Sequence, residues 1–257
     1  MSEVPKNVFR GYDIRGIYPT ELNENFATLI GKGFGTLMKN AGENTVVIGH
    51  DNRKSYPELE KGLIKGLIST GINVVNIGFC VTPMTYFARI LLNIKPSIMI
   101  TASHNPKEYN GFKFSYNGIH NAYGESVYEI YDMITNNKYI KSNEKGKVTN
   151  VDIKNEYIKL LLDNIKLGNR KVKFIYDCGN GTTSIIADEI FKRLNQDSIG
   201  ICNISDGTFP IHHPDPSVEE NLQLLKEEVL KNNADVGISF DGDGDRVGVI
   251  SEKGEFI

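Results

Sequence analysis

The sequence contains no tryptophan and only three cysteines, Cys80, Cys178 and Cys202. An odd count without a Cys-x-x-Cys pair argues against a disulfide framework or a paired-thiol zinc motif. It fits structural thiols in a reducing, cytoplasmic setting. No apolar run reaches membrane-spanning length and no signal peptide is expected, so a membrane is not an expected partner. Charge of one sign is also lacking. Lys and Arg total 29 against 32 Asp and Glu, a net charge of −3. Nucleic-acid binders carry a basic patch, and none is evident here. What the chain does have is length and apolar content. Its 257 residues, 40% of them hydrophobic, suffice for one large domain or two of ordinary size.

Periodicity predicts alternating helices and strands. Leu22, Phe26, Leu29, Ile30, Phe34, Leu37 and Met38 recur at helical spacing over residues 20–40. Gly31, Gly33 and Gly35 weaken that helix and imply a close neighbour. Strands are expected at 45–49, 73–77, 97–101 and 111–115. Between them, Ser55 and Glu58 read as a capping box for a helix ending at Gly71, and Thr82 with Pro83 opens another helix. The polar stretch 138–150 reads as the end of a first domain and a linker. After a helix carrying Ile153, Tyr157, Leu160 and Leu161, the pattern recurs. Strands are expected at 172–176, 198–204, 235–240 and 247–251, with helices at 182–194 and, capped by Ser217 and Glu220, up to about residue 232.

The expected fold is therefore α/β, with two successive mixed-sheet domains, each a β-α-β-α-β-β unit, over residues 1–148 and 149–257. In each unit the loop after the third strand is chemically loaded. Open α/β sheets bind ligands beyond the carboxyl ends of their strands, so the two loops are expected to face a shared cleft.

The loop of the second unit reads D-G-D-G-D-R over residues 241–246. Asp241, Asp243 and Asp245 at alternate positions can converge on one hard cation, and the glycines let the backbone curl. A hairpin turn alone needs one Asp-Gly, not three acids. An EF-hand fits Asp241, Asp243, Asp245 and Glu252. It fails at its sixth position, which is Arg246, and where Val247, Val249 and Ile250 read as strand. An aspartyl-phosphate phosphatase loop departs at Asp245. Mg²⁺ suits a few carboxylates that leave positions open for a phosphoryl oxygen, and Arg246 suits phosphate.

The loop of the first unit reads T-A-S-H-N-P over residues 101–106. Neighbours in extended chain point to opposite sides, so His104 is not an obvious base for Ser103, and no G-x-S-x-G elbow is present. A returning strand with Phe112 and Phe114 on one face would bring Lys113 back toward Ser103. Serine, lysine and a metal loop together fit phosphoryl transfer through a phosphoserine. Nearer the N-terminus, Arg10 and Arg15 are candidate phosphate grips.

Three motifs in order, F-R-G-Y-D-I-R-G at 9–16, T-A-S-H-N-P-K-E-Y-N-G-F-K at 101–113 and D-G-D-G-D-R at 241–246, resemble the α-D-phosphohexomutase family. The likeness is to its bacterial phosphomannomutase/phosphoglucomutase branch, supported by F-P-I-H-H-P-D-P at 209–216 and D-C-G-N-G at 177–181. The resemblance implies transfer of a phosphoryl group between O1 and O6 of hexose phosphates (mannose 1- or 6-phosphate, glucose 1- or 6-phosphate) through a hexose 1,6-bisphosphate. It implies a phosphoserine at Ser103 and Mg²⁺ held by Asp241, Asp243, Asp245 and that phosphoserine. Arg246 would neutralise phosphate charge, and Lys113, His104 and Arg15 would assist catalysis. The family has four domains, and the sugar- and distal-phosphate-binding loops of the third and fourth have no counterpart here. The chain is thus expected to act as an N-terminal half with little or no mutase activity alone. The competing expectation is a non-catalytic metal- or phosphosugar-binding module that works with a partner chain.

Overall fold

A computed structural model of the chain describes residues 4–116 and 121–257. The fold comprises two compact units. The first contains residues 1–79, 85–102 and 108–152. The second contains residues 80–84, 103–107 and 153–257. Two short segments of the N-terminal half, one of them carrying Ser103, therefore group with the second unit.

The first unit runs β1 (Ile14–Ile17), α1 (Glu24–Asn40), β2 (Thr45–His50), α2 (Tyr56–Ser69), β3 (Asn73–Phe79), α3 (Thr82–Leu91), β4 (Ser97–Ile100), β5 (Tyr109–Ser115), α4 (Glu125–Thr135) and β6 (Val148–Asn150). The first turn of α3 is the exception, because it lies in the second unit. The strands form one mixed sheet in the order β1-β5-β4-β2-β3-β6. β2 is parallel to both β3 and β4, whereas β5 runs antiparallel to β4 and to β1. Alternation along the strands sends Val46, Ile48, Ile98, Ile100, Phe112 and Phe114 into a core shared with Phe34 and Ile30 of α1. Arg53, fully buried, pairs with Asp51 at 3.1 Å and donates to the Tyr109 carbonyl at 3.0 Å, which anchors the start of β5.

The second unit runs α5 (Lys154–Asn164), β7 (Lys173–Asp177), α6 (Ala187–Arg193), β8 (Asp197–Ile201), α7 (Gln223–Lys231), β9 (Val236–Phe240) and β10 (Val247–Ser251). Its sheet order is β10-β9-β7-β8. β7 is buried on both faces. Phe174 and Tyr176 meet Ala187 and Phe191 on one side, and Ile175 meets Leu225 and Val229 on the other. This sheet repeats the β5-β4-β2-β3 order of the first unit, with the same parallel and antiparallel pairings. The expected pair of β-α-β-α-β-β units is therefore present, with β1 and β6 added at the edges of the first.

Several local expectations change. The Ser55 side chain makes no cap bond to its helix, because its hydroxyl accepts from Asn110 Nδ2 at 2.7 Å. The Ser217 hydroxyl donates to Asp215 at 2.6 Å instead of capping, and a 3₁₀ turn, Glu219–Leu222, precedes α7. The helix expected over 182–194 is a 3₁₀ turn, Thr182–Ile185, followed by α6. Within the stretch read as linker, β6 pairs with β3. Among the described residues no helix is long and apolar enough to cross a membrane.

The glycines of α1 do mark a close neighbour. A methyl group at Gly31 would run into the Leu63 carbonyl of α2, and one at Gly66 into the Thr28 carbonyl of α1. The two helices thus meet backbone to backbone. In an exposed helix, Gly→Ala gains about 1 kcal/mol of propensity. At this seam the obstacle is main chain that cannot rotate aside, and overpacking costs about 1–3 kcal/mol. Gly66→Ala is therefore expected to lower the melting temperature followed by circular dichroism. A raised melting temperature would refute the tight seam.

Candidate active site

The acidic loop joins β9 to β10, and its shape is set by its own backbone. Asp241 Oδ1 accepts from the amides of Asp245 at 3.0 Å and Arg246 at 3.1 Å, while the Gly244 amide donates to the Asp241 carbonyl at 3.1 Å. Asp241 is thus the hub about which the loop folds. Gly244 has φ +72°, a left-handed conformation that side-chain-bearing residues rarely adopt. Gly242 is required for a different reason: a Cβ there would stand 2.6 Å from the Ser103 carbonyl.

The result is a cluster in which one oxygen each of Asp241, Asp243 and Asp245 lies within 4.8 Å of the others. Asp241 and Asp243 are fully buried. Carboxylates at this spacing repel one another strongly where water is excluded. Three hard oxygen donors leaving positions open fit Mg²⁺ and do not fit a soft thiophilic ion.

Ser103 meets this cluster directly. Its Oγ donates to Asp241 Oδ2 at 2.6 Å, and Arg246 Nη2 donates to Ser103 Oγ at 3.3 Å. Arg246 Nε also lies 3.8 Å from both Asp241 Oδ2 and Asp245 Oδ1. Serine, arginine and acids thus converge at one point. Ser103 itself has φ 54°. That left-handed backbone costs about 1–2 kcal/mol in a residue other than glycine. It also breaks the alternation of extended chain, so His104 Nδ1 lies 3.4 Å from Ser103 Oγ instead of on the opposite side. Ser103 and His104 are therefore not separated as neighbours in extended chain would be.

Arg10, Arg15 and Lys113 belong to the first unit. Arg15, on β1, is buried, pairs with Asp13 at 2.7 Å and donates to the Ala102 carbonyl at 3.2 Å. Lys113 faces Met99 across the β4–β5 ladder, between the buried Phe112 and Phe114. Arg10 is exposed, and its backbone amide is bound to the Asp13 carbonyl at 2.8 Å.

Residues behind His104 were visible in the sequence only as part of the H-H-P-D-P and D-C-G-N-G strings. His104 Nε2 lies 3.9 Å from Asp215 Oδ2. Burial disfavours the Asp215 charge. Its two bonds from Ser217, then the charges of His104 and Arg246, outweigh burial and hold the carboxyl below its usual range. The loop bearing Asp215 is tied down by His212, whose Nε2 donates to Asp177 Oδ2 at 2.8 Å and whose Nδ1 donates to the His213 carbonyl at 2.9 Å. Asp177 Oδ1 in turn accepts from the Gly179 amide at 2.8 Å. Asp177, Cys202 and His212 form a second cluster with donor atoms within 4.8 Å of one another. With both ring nitrogens donating, His212 is an imidazolium that braces the loop.

Burial opposes the His212 charge. The hydrogen bonds to Asp177 and Cys202, the Asp177 charge and the His213 carbonyl together raise its pKa to about 10 from an ordinary 6.5. A folded-state pKa above the unfolded value means that the stabilisation is complete below pH 6.5 and lost as pH rises through about 10. Urea unfolding from pH 6 to pH 10 is therefore expected to show falling stability in the natural chain. A flatter profile is expected in His212→Gln. Parallel profiles would refute the buried imidazolium.

Comparison with known proteins gives a consistent result. The family models described as phosphoglucomutase/phosphomannomutase, alpha/beta/alpha domain I and domain II, match residues 6–141 and 155–254. A phosphomannomutase/phosphoglucomutase of Pseudomonas syringae pv. tomato is 41% identical over 99% of this chain and 54% of its own length. A phosphoglucomutase of Neisseria meningitidis serogroup B is 39% identical over all of this chain and 55% of its own. A crystal structure of a phosphoglucomutase/phosphomannomutase family protein from Burkholderia thailandensis superposes with a TM-score of 0.93 at 35% identity. It covers 99% of this chain and 57% of that one. The chain spans about half the length of the curated relatives it matches. With both domain models matched in order across nearly all of its residues, this chain belongs to the phosphoglucomutase/phosphomannomutase family.

Proposed function

We propose that this chain carries the phosphoserine and metal centre of an enzyme that moves a phosphoryl group between O1 and O6 of hexose phosphates by way of a hexose 1,6-bisphosphate. The observation that supports this best is the 2.6 Å bond from Ser103 Oγ to Asp241 Oδ2, in a loop whose three carboxylates converge. A general metal-binding loop has no need of a serine hydroxyl at that point, whereas a phosphoryl-accepting serine has every need of it.

In this reading Ser103 Oγ is the phosphoryl acceptor and donor. Asp241 accepts the hydroxyl hydrogen bond in the unphosphorylated state and so orients the oxygen. A phosphate on Ser103 brings a charge of about −2 against three carboxylates, and that repulsion requires cations. Arg246, already 3.3 Å from Ser103 Oγ, supplies one. Asp241, Asp243 and Asp245, with the phosphoserine, would hold Mg²⁺. When bound, that ion supplies the remaining charge neutralisation and polarises the phosphoryl group for transfer. His104, beside the same oxygen, is suited to handling its proton. The family resemblance implies that Lys113 and Arg15 assist catalysis, and Arg10 remains a candidate grip on phosphate. Beyond the covalent step at Ser103, the remaining catalysis comes from positioning and electrostatics.

Incubation with glucose 1,6-bisphosphate and Mg²⁺ is expected to add one phosphoryl group, mapped to Ser103 by mass spectrometry. Ser103→Ala is expected to abolish the addition, and Arg246→Ala to slow it about 10²- to 10³-fold, as for other single stabilisers of developing charge. Labelling at another residue, or none under these conditions, would favour the non-catalytic binding module instead.

A further inference from the structure

We infer that Thr82 is a positioning residue for the acidic loop, orienting the Asp243 carboxylate toward the cation. The inference rests on the metal-site reading of that loop and extends it to a residue that lies outside the loop and outside its sequence motif.

Thr82 Oγ1 donates to Asp243 Oδ2 at 2.6 Å, and the Thr82 amide donates to the Asp243 carbonyl at 2.8 Å. An ionised carboxylate only accepts, so the hydroxyl proton points at it. The two residues are 161 positions apart, yet both are fully buried and both lie in the second unit. The pair of bonds fixes main chain and side chain together, which one bond alone cannot do. The segment also presses on the next residue of the loop, since a Cβ at Gly244 would lie 3.0 Å from Val81 Cγ1.

A threonine at the first helical position lies one residue past the N-cap, whose side chain does the capping. Here the hydroxyl is turned outward onto a carboxylate of a distant loop. Its position at the first residue of α3 adds the partial positive charge of the helix start to the same carboxylate. Both effects oppose the repulsion that would otherwise drive Asp243 away from Asp241 and Asp245 in the absence of a cation. The loop is thereby held in its binding geometry before the ion arrives. Partners that orient metal ligands from outside the coordination sphere alter metal affinity without touching the ion.

The test is titration calorimetry of the chain and its variants with Mn²⁺ as the probe. Thr82→Val keeps the shape and removes the hydroxyl, while Thr82→Ser keeps the hydroxyl. Loss of such an outer partner weakens metal binding about 10- to 100-fold, so that is the expected shift for Thr82→Val, with Thr82→Ser close to the natural chain. Thermal unfolding without metal reports whether each variant folds. If Thr82→Val is poorly folded, Thr82→Ala takes its place in the comparison with serine. Natural-strength Mn²⁺ binding by Thr82→Val or Thr82→Ala would overturn the inference, as would an equal loss in Thr82→Ser. Asp243→Asn tests the metal site independently of Thr82. If it binds Mn²⁺ as well as the natural chain does, the metal-site reading itself is wrong.

Discussion

Repulsion among three carboxylates is the constraint around which the second unit is organised. Asp241, Asp243 and Asp245 present oxygens within 4.8 Å of one another, and two of the three are fully buried. Left to themselves, such groups would separate or take up protons. The surrounding structure supplies hydrogen-bond donors instead. Asp241 receives two backbone amides and the Ser103 hydroxyl, Asp243 receives the Thr82 hydroxyl, and Arg246 lies beside Asp241 and Asp245. Each donor lowers the cost of holding charge at this point, and together they leave a carboxylate cluster that could hold a small hard cation. The glycines belong to the same logic: one permits the left-handed turn and the other lets the Ser103 carbonyl approach.

The scaffold beneath this arrangement is used twice. Strand order and pairing sense are the same in β5-β4-β2-β3 and in β10-β9-β7-β8. In both, the chemically loaded loop leads from the third strand into an antiparallel return. The core residues of the two units differ, as do their flanking helices, so what recurs is topology and not detail. The difference in chemistry, serine in one loop and acids in the other, lies entirely in a handful of loop residues. The tight α1–α2 seam and the buried Asp51–Arg53 pair belong to the first scaffold.

Much of this was legible in the sequence, and the reasons for the rest are specific. The acidic triad was legible because its spacing is the chemistry. The repeat was legible because β7 and β2 read as short apolar runs between helical periods. α4 was missed although Val127, Ile130 and Ile134 mark its buried face. β6 was illegible, since its three residues are exposed and only pairing with β3 makes them a strand. The Ser55 and Ser217 caps failed because each hydroxyl found another partner, Asn110 and Asp215 respectively. The His104 side was misjudged because nothing in the residue type announces the left-handed backbone of Ser103. Thr82 and the Asp177–His212 pair could not be read at all as partners, because their contacts join segments far apart in the chain.

The grouping of residues 103–107 with the second unit carries a mechanical meaning. By covalent order this loop leads from β4 to β5 and belongs to the first sheet, yet its packing belongs to the acidic loop. The distance between the serine oxygen and the carboxylates is therefore an internal coordinate of one body.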